Sequence, residues 1–137
     1  MLESMARSNP NQPPMPTAAE VDILAALWKL GPATVREVHQ ALAKDCSYNT
    51  TLKQMQLMTE KGLLQRTERF GAHVYEPAAP QAQTQKRIAG DILNRVFAGS
   101  AKQLILGALG ARPASAEELA DIREMIDAME KKQRGTK

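Results

Sequence analysis

The stretch Ser47–Gly62, SYNTTLKQMQLMTEKG, has the pattern of a helix with two unlike sides. At roughly 100° per residue, one side collects the apolar and threonine positions. These are Tyr48, Thr51, Leu52, Met55, Met58 and Thr59. The opposite side carries Asn49, Thr50, Lys53, Gln54 and Leu57, and no acid follows until Glu60. A solvated helix face normally mixes Glu with Lys, so a face made of hydrogen-bonding groups and one cation requires an explanation.

Two further helices precede this stretch. Thr17 and Glu20 have the spacing of a capping box, and Thr34 and Glu37 repeat it. The apolar positions that follow them are Val21, Leu24, Leu27 and Trp28 in the first helix, and Val35, Val38, Ala41 and Leu42 in the second. Ser47 is a good N-cap for the third helix, and Gly62 is the residue type that ends one.

The chain changes its period after Gly62. Two short runs rich in Thr, Val and Tyr flank Phe70-Gly71 and end at Pro77, which is the pattern of a β-hairpin. Three short helices and a hairpin predict a winged helix-turn-helix domain over residues 17–78. The last helix of a helix-turn-helix pair lies in the major groove of DNA, where Asn, Gln, Thr and Lys read bases and acids are repelled. A winged helix that binds only protein is the alternative.

The composition limits which other classes of protein are compatible with this chain. The chain has 137 residues, 43% hydrophobic and 4% aromatic, which suits a helical protein of one or two small domains. No apolar run approaches the roughly 20 residues of a membrane helix, and no signal peptide is visible. Cys46 is the only cysteine, which fits a reducing cytoplasm. The net charge of +3 lies in the C-terminal half, so charge alone is weak evidence for nucleic acid.

The two ends differ in character. The proline-rich residues 1–16 predict a disordered lead-in, residues 79–132 predict a helical domain, and residues 133–137 predict a basic tail. The helical domain has too few residues for a core of its own, so we expect a homodimer. Folding back onto the winged helix is the alternative. The predicted dimer contacts are Ile88, Ile92, Val96, Leu104, Leu106, Leu109, Leu119, Ile122, Ile126 and Met129.

These motifs together resemble the penicillinase-repressor (BlaI/MecI/CopY) family. The segments that carry the resemblance are TAAEVDILAALWKLGPATVREVHQAL, YNTTLKQMQLMTEKGLL and VYEP, and the similarity extends over about residues 17–129. The resemblance implies a mainly α protein with a small hairpin wing and a C-terminal helical dimerisation domain. It also implies a homodimer that binds a pseudo-palindromic operator in double-stranded DNA and represses transcription.

The candidate DNA-binding residues come from the helix and from the wing. The helix supplies Ser47, Tyr48, Asn49, Thr50, Lys53, Gln54 and Leu57. The helix end and the wing supply candidate phosphate contacts in Lys61, Arg66, Arg69 and His73. Tyr48 is equally a packing residue by its place on the apolar arc. Leu57 stands where the family commonly has Arg, and an exposed Leu either touches a thymine methyl or marks lost affinity.

The inducer is less well defined. Copper-responsive relatives carry paired C-terminal cysteines, and this chain has none after Cys46, so we expect no copper or other metal and no cofactor. In the β-lactam branch a membrane sensor protease triggers cleavage of the dimerisation domain, which makes such a protease a candidate partner. Gly107-Ala108 replaces the family's Asn-Phe bond, so we expect no cleavage there.

No catalytic motif is visible. The sequence has no phosphate-binding glycine loop, no HExxH and no nucleophile elbow, so we expect no enzyme. The remaining alternative is a redox-responsive regulator in which Cys46 is activated by the N-terminus of the adjacent helix.

Overall fold

A computed structural model describes residues 12–43 and 45–135. Its elements are α1 (Ala18–Leu30), α2 (Val35–Leu42), α3 (Tyr48–Lys61), β1 (Leu64–Arg69), β2 (Ala72–Pro77), α4 (Gln81–Arg95), α5 (Ala101–Ala111) and α6 (Ala116–Gly135). The predicted class is confirmed: the protein is mainly α, with a winged helix followed by a helical C-terminal region.

The first helices begin where their caps predict. The Thr17 hydroxyl accepts a hydrogen bond from the Glu20 N–H at 3.2 Å, and the Glu20 carboxylate accepts one from the Thr17 N–H at 3.0 Å. Thr34 and Glu37 form the same pair at 3.2 and 2.9 Å. Each box satisfies two backbone donors that the helix leaves unpaired, so both predicted capping boxes are confirmed. Gly62 ends α3 at φ +87°, a conformation that glycine adopts without strain.

The core lies between the three helices and the hairpin. Its fully enclosed members include the predicted Leu24, Leu27 and Met55, while Trp28 and Leu42 are partly buried beside it. The other buried members are Ile23, Ala33, Val35, Val38, Met58, Leu63, Leu64 and Tyr75. Aliphatic and methionine side chains therefore make up most of the core, in keeping with the low aromatic content, and Tyr75 is a buried aromatic member.

The hairpin is attached to the helices by a backbone bridge that the sequence did not predict. Ala33, in the connection between α1 and α2, exchanges two hydrogen bonds with Tyr75 of β2 at 3.0 and 2.8 Å. β1 and β2 pair antiparallel from Leu64 opposite Pro77 to Arg69 opposite Ala72. Phe70 and Gly71 form the two-residue turn, both at positive φ, as a type I′ hairpin requires.

The predicted lead-in differs from the structure in its last residues. Pro16 is buried, and the Pro13 carbonyl accepts a hydrogen bond from the Arg87 guanidinium of α4 at 2.5 Å. Proline rings are apolar and rigid, so they pack against a core edge at little entropic cost. Residues 1–11 lie outside the described residues. At the other end, α6 includes the first three residues of the predicted tail, and residues 136–137 are also outside them.

The chain divides into two compact units between Ile88 and Ala89, within α4. In the second unit, Ser100 and Ser115 cap α5 and α6 by accepting hydrogen bonds from the Gln103 and Glu118 N–H groups. None of its described residues, 89–135, is buried. Among the helices described here, none combines the length and the apolar character that a membrane crossing needs.

Glu20 is a buried carboxylate with two partners. Its side chain is 5% exposed, and Oε2 accepts a hydrogen bond from Lys61 Nζ at 2.6 Å while Oε1 accepts the capping bond from Thr17. Burial alone raises the pKa of Glu20. The hydrogen bonds from Lys61 and Thr17, with the attraction of the Lys61 ammonium, outweigh burial and hold the pKa below its ordinary value of 4.5.

We expect Glu20→Gln to lower the free energy of unfolding by about 1 kcal/mol at neutral pH, because Gln keeps the capping bond but loses the charge opposite Lys61. A depressed folded-state pKa means that this contribution is fully present above about pH 4.5. It is then lost as the pH falls through the lowered folded value. Urea unfolding of the variant and the wild type, from pH 7 down to the pH at which the wild type unfolds in acid, measures the difference in free energy of unfolding and its loss at low pH.

The matched control is Glu37→Gln. Glu37 fills the same capping position in α2, but it is exposed. We expect this substitution to change the free energy of unfolding little at any pH. Equal losses in the two variants would contradict a specific role for the Glu20–Lys61 pair.

Candidate nucleic-acid interface

The rotation of α3 decides which side chains reach solvent. Thr51, Met55 and Met58 are buried, so they turn the opposite arc outward. The exposed residues on that arc are Asn49, Thr50, Lys53, Gln56, Leu57 and Glu60.

The two glutamines of α3 differ in exposure. Gln54 is half-buried, whereas Gln56 is exposed. Sequence reasoning missed Gln56, although its spacing shows it: Gln56 lies three residues after Lys53 and seven after Asn49, which places all three on one helical stripe.

The N-terminal end of α3 is arranged by its own hydroxyl groups. The Ser47 Oγ accepts a hydrogen bond from the Thr50 N–H at 3.1 Å and lies 3.0 Å from Thr50 Oγ1. The first turn of α3 contains no acid. The positive end of the helix dipole therefore has no carboxylate within the first turn of α3 itself, although Asp45 precedes the N-cap by two residues, and such a helix end favours a phosphate.

A cleft runs between α3 and the hairpin. It brings together three candidates predicted from the sequence, namely Tyr48, Arg66 and His73. It also adds two residues that sequence reasoning missed, Arg36 of α2 and Gln56 of α3. The remaining lining residues are Thr34, Val35, Leu52, Ala72 and Tyr75. Arg36 was missed because only the packing of α2 against α3 brings its guanidinium to this cleft.

Tyr48 packs against α2 and remains partly exposed. The residue is 40% exposed, and its ring packs edge-on against His39 at 6.0 Å between centroids, with the Arg36 guanidinium 5.6 Å from the ring centroid. A cation over an aromatic face is attractive. Tyr48 therefore holds Arg36 at the cleft while part of its own ring remains accessible.

A buried hydroxyl fixes α2 to α3 beneath this ring. Thr51 is 1% exposed, and its Oγ1 lies 2.9 Å from His39 Nδ1 and 3.8 Å from Cys46 Sγ. Polar groups at this depth must be hydrogen-bonded, so the contact favours one relative position of the two helices. Cys46 is half-buried beside the same hydroxyl.

Two candidate phosphate contacts lie apart from the cleft. Lys61 donates to Glu20, and the 14 residues of α3 place it about 20 Å from Ser47. Arg69 lies opposite Ala72 at the last paired position, so it is on the other face of the hairpin from Arg66. Neither residue lines the cleft.

Within residues 12–43 and 45–135, no group of three or more His, Cys, Asp or Glu side chains is arranged to hold a metal ion. His39 lies on α2, where it is hydrogen-bonded to Thr51, and His73 lies on β2.

Comparison with known proteins gives a consistent result. A family model described as penicillinase repressor matches residues 16–128. A penicillinase repressor from Bacillus licheniformis is 22% identical over 116 residues, which cover 83% of this chain and 91% of that protein. The match therefore extends over both the winged helix and the C-terminal helices.

Proposed function

The chain belongs to the penicillinase-repressor family of transcriptional regulators, and from that premise we propose that it is a dimeric repressor that binds a pseudo-palindromic operator. In this proposal α3 enters the major groove of each half-site, and the C-terminal helices join two copies. Action on operator DNA also entails a cytoplasmic location. The family is one of regulators and not of enzymes, in agreement with the absence of catalytic motifs from the sequence.

The observation that carries DNA binding is the exposed face of α3. Asn49, Lys53 and Gln56 share one stripe, and their side chains offer the donors and acceptors that base edges recognise. Arg66 and His73 lie across the cleft, where they are suited to contact phosphates flanking the groove. Leu57 is 47% exposed beside this stripe, in position for contact with a thymine methyl.

The uncovered apolar side chains of the second unit support a dimer. Val96, Leu106 and Met129 are all more than half exposed, although burial of such a side chain contributes roughly 1.5–3 kcal/mol. On α6, the positions Leu119, Ile122, Ile126 and Met129 follow the three-four-three spacing of a helix-packing seam. A unit of this size gains its core most economically from a second copy of the same helices.

We also propose that this repressor is not released from DNA by cleavage at Gly107-Ala108. This bond lies inside α5, where the Phe97 ring is close enough that a Cβ on Gly107 would touch it at 3.4 Å. A protease can cut a peptide bond inside a helix only after the helix around it unwinds. In addition, the Asn-Phe pair of the β-lactam branch is absent from this position.

The first test replaces the cation on the DNA-facing stripe. We expect Lys53→Ala to weaken binding by roughly 1–3 kcal/mol if Lys53 contacts a base, with relaxed preference at one position. A phosphate contact would instead weaken all sequences alike and lower the salt slope by about one. Fluorescence anisotropy at several salt concentrations separates these cases, using a duplex that the wild-type chain selects from a random-sequence library (the selected duplex).

The control for that test is Lys29→Ala, which removes an exposed lysine from the last turn of α1. We expect its affinity to match that of the wild type. If Lys53→Ala also binds every duplex as the wild type does, Lys53 lies outside the interface and the protein-interaction alternative gains support.

The second test breaks the proposed dimer seam far from DNA. Ile122→Asp places an unpaired carboxylate in an apolar contact, and we expect dimerisation to weaken by several kcal/mol. Loss of the second half-site contact should then lower affinity for the selected duplex by orders of magnitude. Sedimentation velocity and DNA titration measure the two effects, with circular dichroism as the folding control.

Ala128→Asp is the matched control, because it adds the same charge to the exposed far side of α6. It should leave both the assembly and DNA binding unchanged. A dimeric Ile122→Asp variant, or a monomeric one with full affinity, would refute the proposed architecture.

The third test concerns induction. We expect immunoblots of the native host to show the intact chain with and without a β-lactam, because the bond at Gly107-Ala108 is not the family's cleavage sequence. A fragment ending near Gly107 that forms only with the drug would overturn this expectation.

A further inference from the structure

The tip of the hairpin carries a fully exposed aromatic side chain. Phe70 is 101% exposed, and its φ is +52°. Non-glycine residues adopt this region rarely, and the first position of a type I′ turn favours Asn, Asp or Gly. The exposed ring gains no stability from burial against a described neighbour. The stability of the fold therefore does not explain a phenylalanine at this position.

We propose that Phe70 is an apolar wedge that enters the minor groove of DNA beside the half-site bound by α3 and stacks against a base step. The inference rests on the proposed function and adds to it a second groove contact through the wing. Apolar side chains inserted between base steps partly unstack them and bend the duplex, which lets the protein contact more of it.

The surroundings of Phe70 favour DNA over a protein partner. The exposed side chains nearest Phe70 on the hairpin are Glu68, Arg69, Ala72 and His73, so the ring has mainly polar neighbours and no second large apolar side chain exposed beside it. The centre of a protein interface is depleted of charge and surrounds its aromatic anchor with other apolar groups. A single ring beside the Arg69 guanidinium matches a nucleic acid, where the ring meets bases and the cation meets a phosphate.

The hairpin has the reach that this contact requires. Its base is fixed at Tyr75 by the bridge to Ala33, and Gly71 lies four residues beyond that point. At roughly 3.3 Å per residue, the tip extends about 13 Å from its anchor. The major and minor grooves are about 12 and 6 Å wide, so a hairpin that extends this far beyond its anchor is long enough to cross one phosphate backbone.

The pairing of the hairpin also limits its freedom. Six residue pairs join β1 to β2, and the turn contains only two residues. The aromatic side chain is therefore presented on a short, stiff support, and little conformational entropy is lost when it binds.

The experiment uses substitutions that separate stability from binding. Asn is favoured at the first position of a type I′ turn, so Phe70→Asn should melt at or above the wild-type temperature. The same variant should bind the selected duplex roughly tenfold or more weakly, because base–aromatic stacking is lost. Phe70→Trp keeps an aromatic ring and should retain most of the affinity.

A second readout reports base unstacking directly. Duplexes carrying 2-aminopurine at successive positions outside the α3 half-site should brighten at one step with the wild type and with Phe70→Trp. They should not brighten with Phe70→Asn. Brightening that persists with Phe70→Asn, or equal affinity of Phe70→Asn and the wild type, overturns the inference.

The remaining outcomes distinguish a failure of the Phe70 wedge from a failure of the proposed DNA-binding function. A change in the sedimentation coefficient of free Phe70→Asn would assign the ring to a contact between copies of the chain and overturn the wedge. Failure of the wild type to select any duplex would overturn the proposed function itself. Selection by the wild type together with unchanged binding by Phe70→Asn would overturn only the wedge.

Discussion

The burial of Met55 and Met58 sets the rotation of α3 about its axis, and the rest of the candidate interface depends on that rotation. These side chains are inaccessible to solvent, so a turn of α3 in either direction would expose apolar area and bring Lys53 or Asn49 toward the core. Thr51 strengthens the constraint through its hydrogen bond with His39. The exposed arc of α3 therefore faces outward because the opposite face, with Met55 and Met58, is stable only when it is buried in the core.

The two units of the chain satisfy their apolar side chains differently. The winged helix closes its own core, with Tyr75 and Ala33 joining the hairpin to the helices by backbone hydrogen bonds. The second unit has well-capped helices but no buried residue among those described. Caps define where a helix begins, whereas packing supplies most of the stability of a short helix. The second unit therefore has its secondary structure specified locally and its apolar seam left uncovered.

Electrostatics act here through placement more than through net charge. Lys61 pairs with Glu20 and helps to lower the pKa of that buried carboxyl group, so it contributes to the fold. Arg36 carries the same charge but stacks beside Tyr48 at the cleft, where its guanidinium faces solvent and adds to the local positive potential. In the net charge, Lys61 and Arg36 count equally. Their neighbours give them different roles, one in the fold and the other at the cleft.

The sequence by itself determined the elements, because their signals are local: the capping boxes at Thr17 and Thr34, the stop at Gly62 and the turn at Phe70-Gly71 each depend on residues a few positions apart. It also determined most of the exposed arc of α3, since helical period relates position to face. Only the tertiary structure brought Arg36 to the cleft, joined Ala33 to Tyr75 and paired Lys61 with Glu20. These contacts unite residues far apart in the chain, and their geometry follows from how the helices pack, which no local pattern encodes.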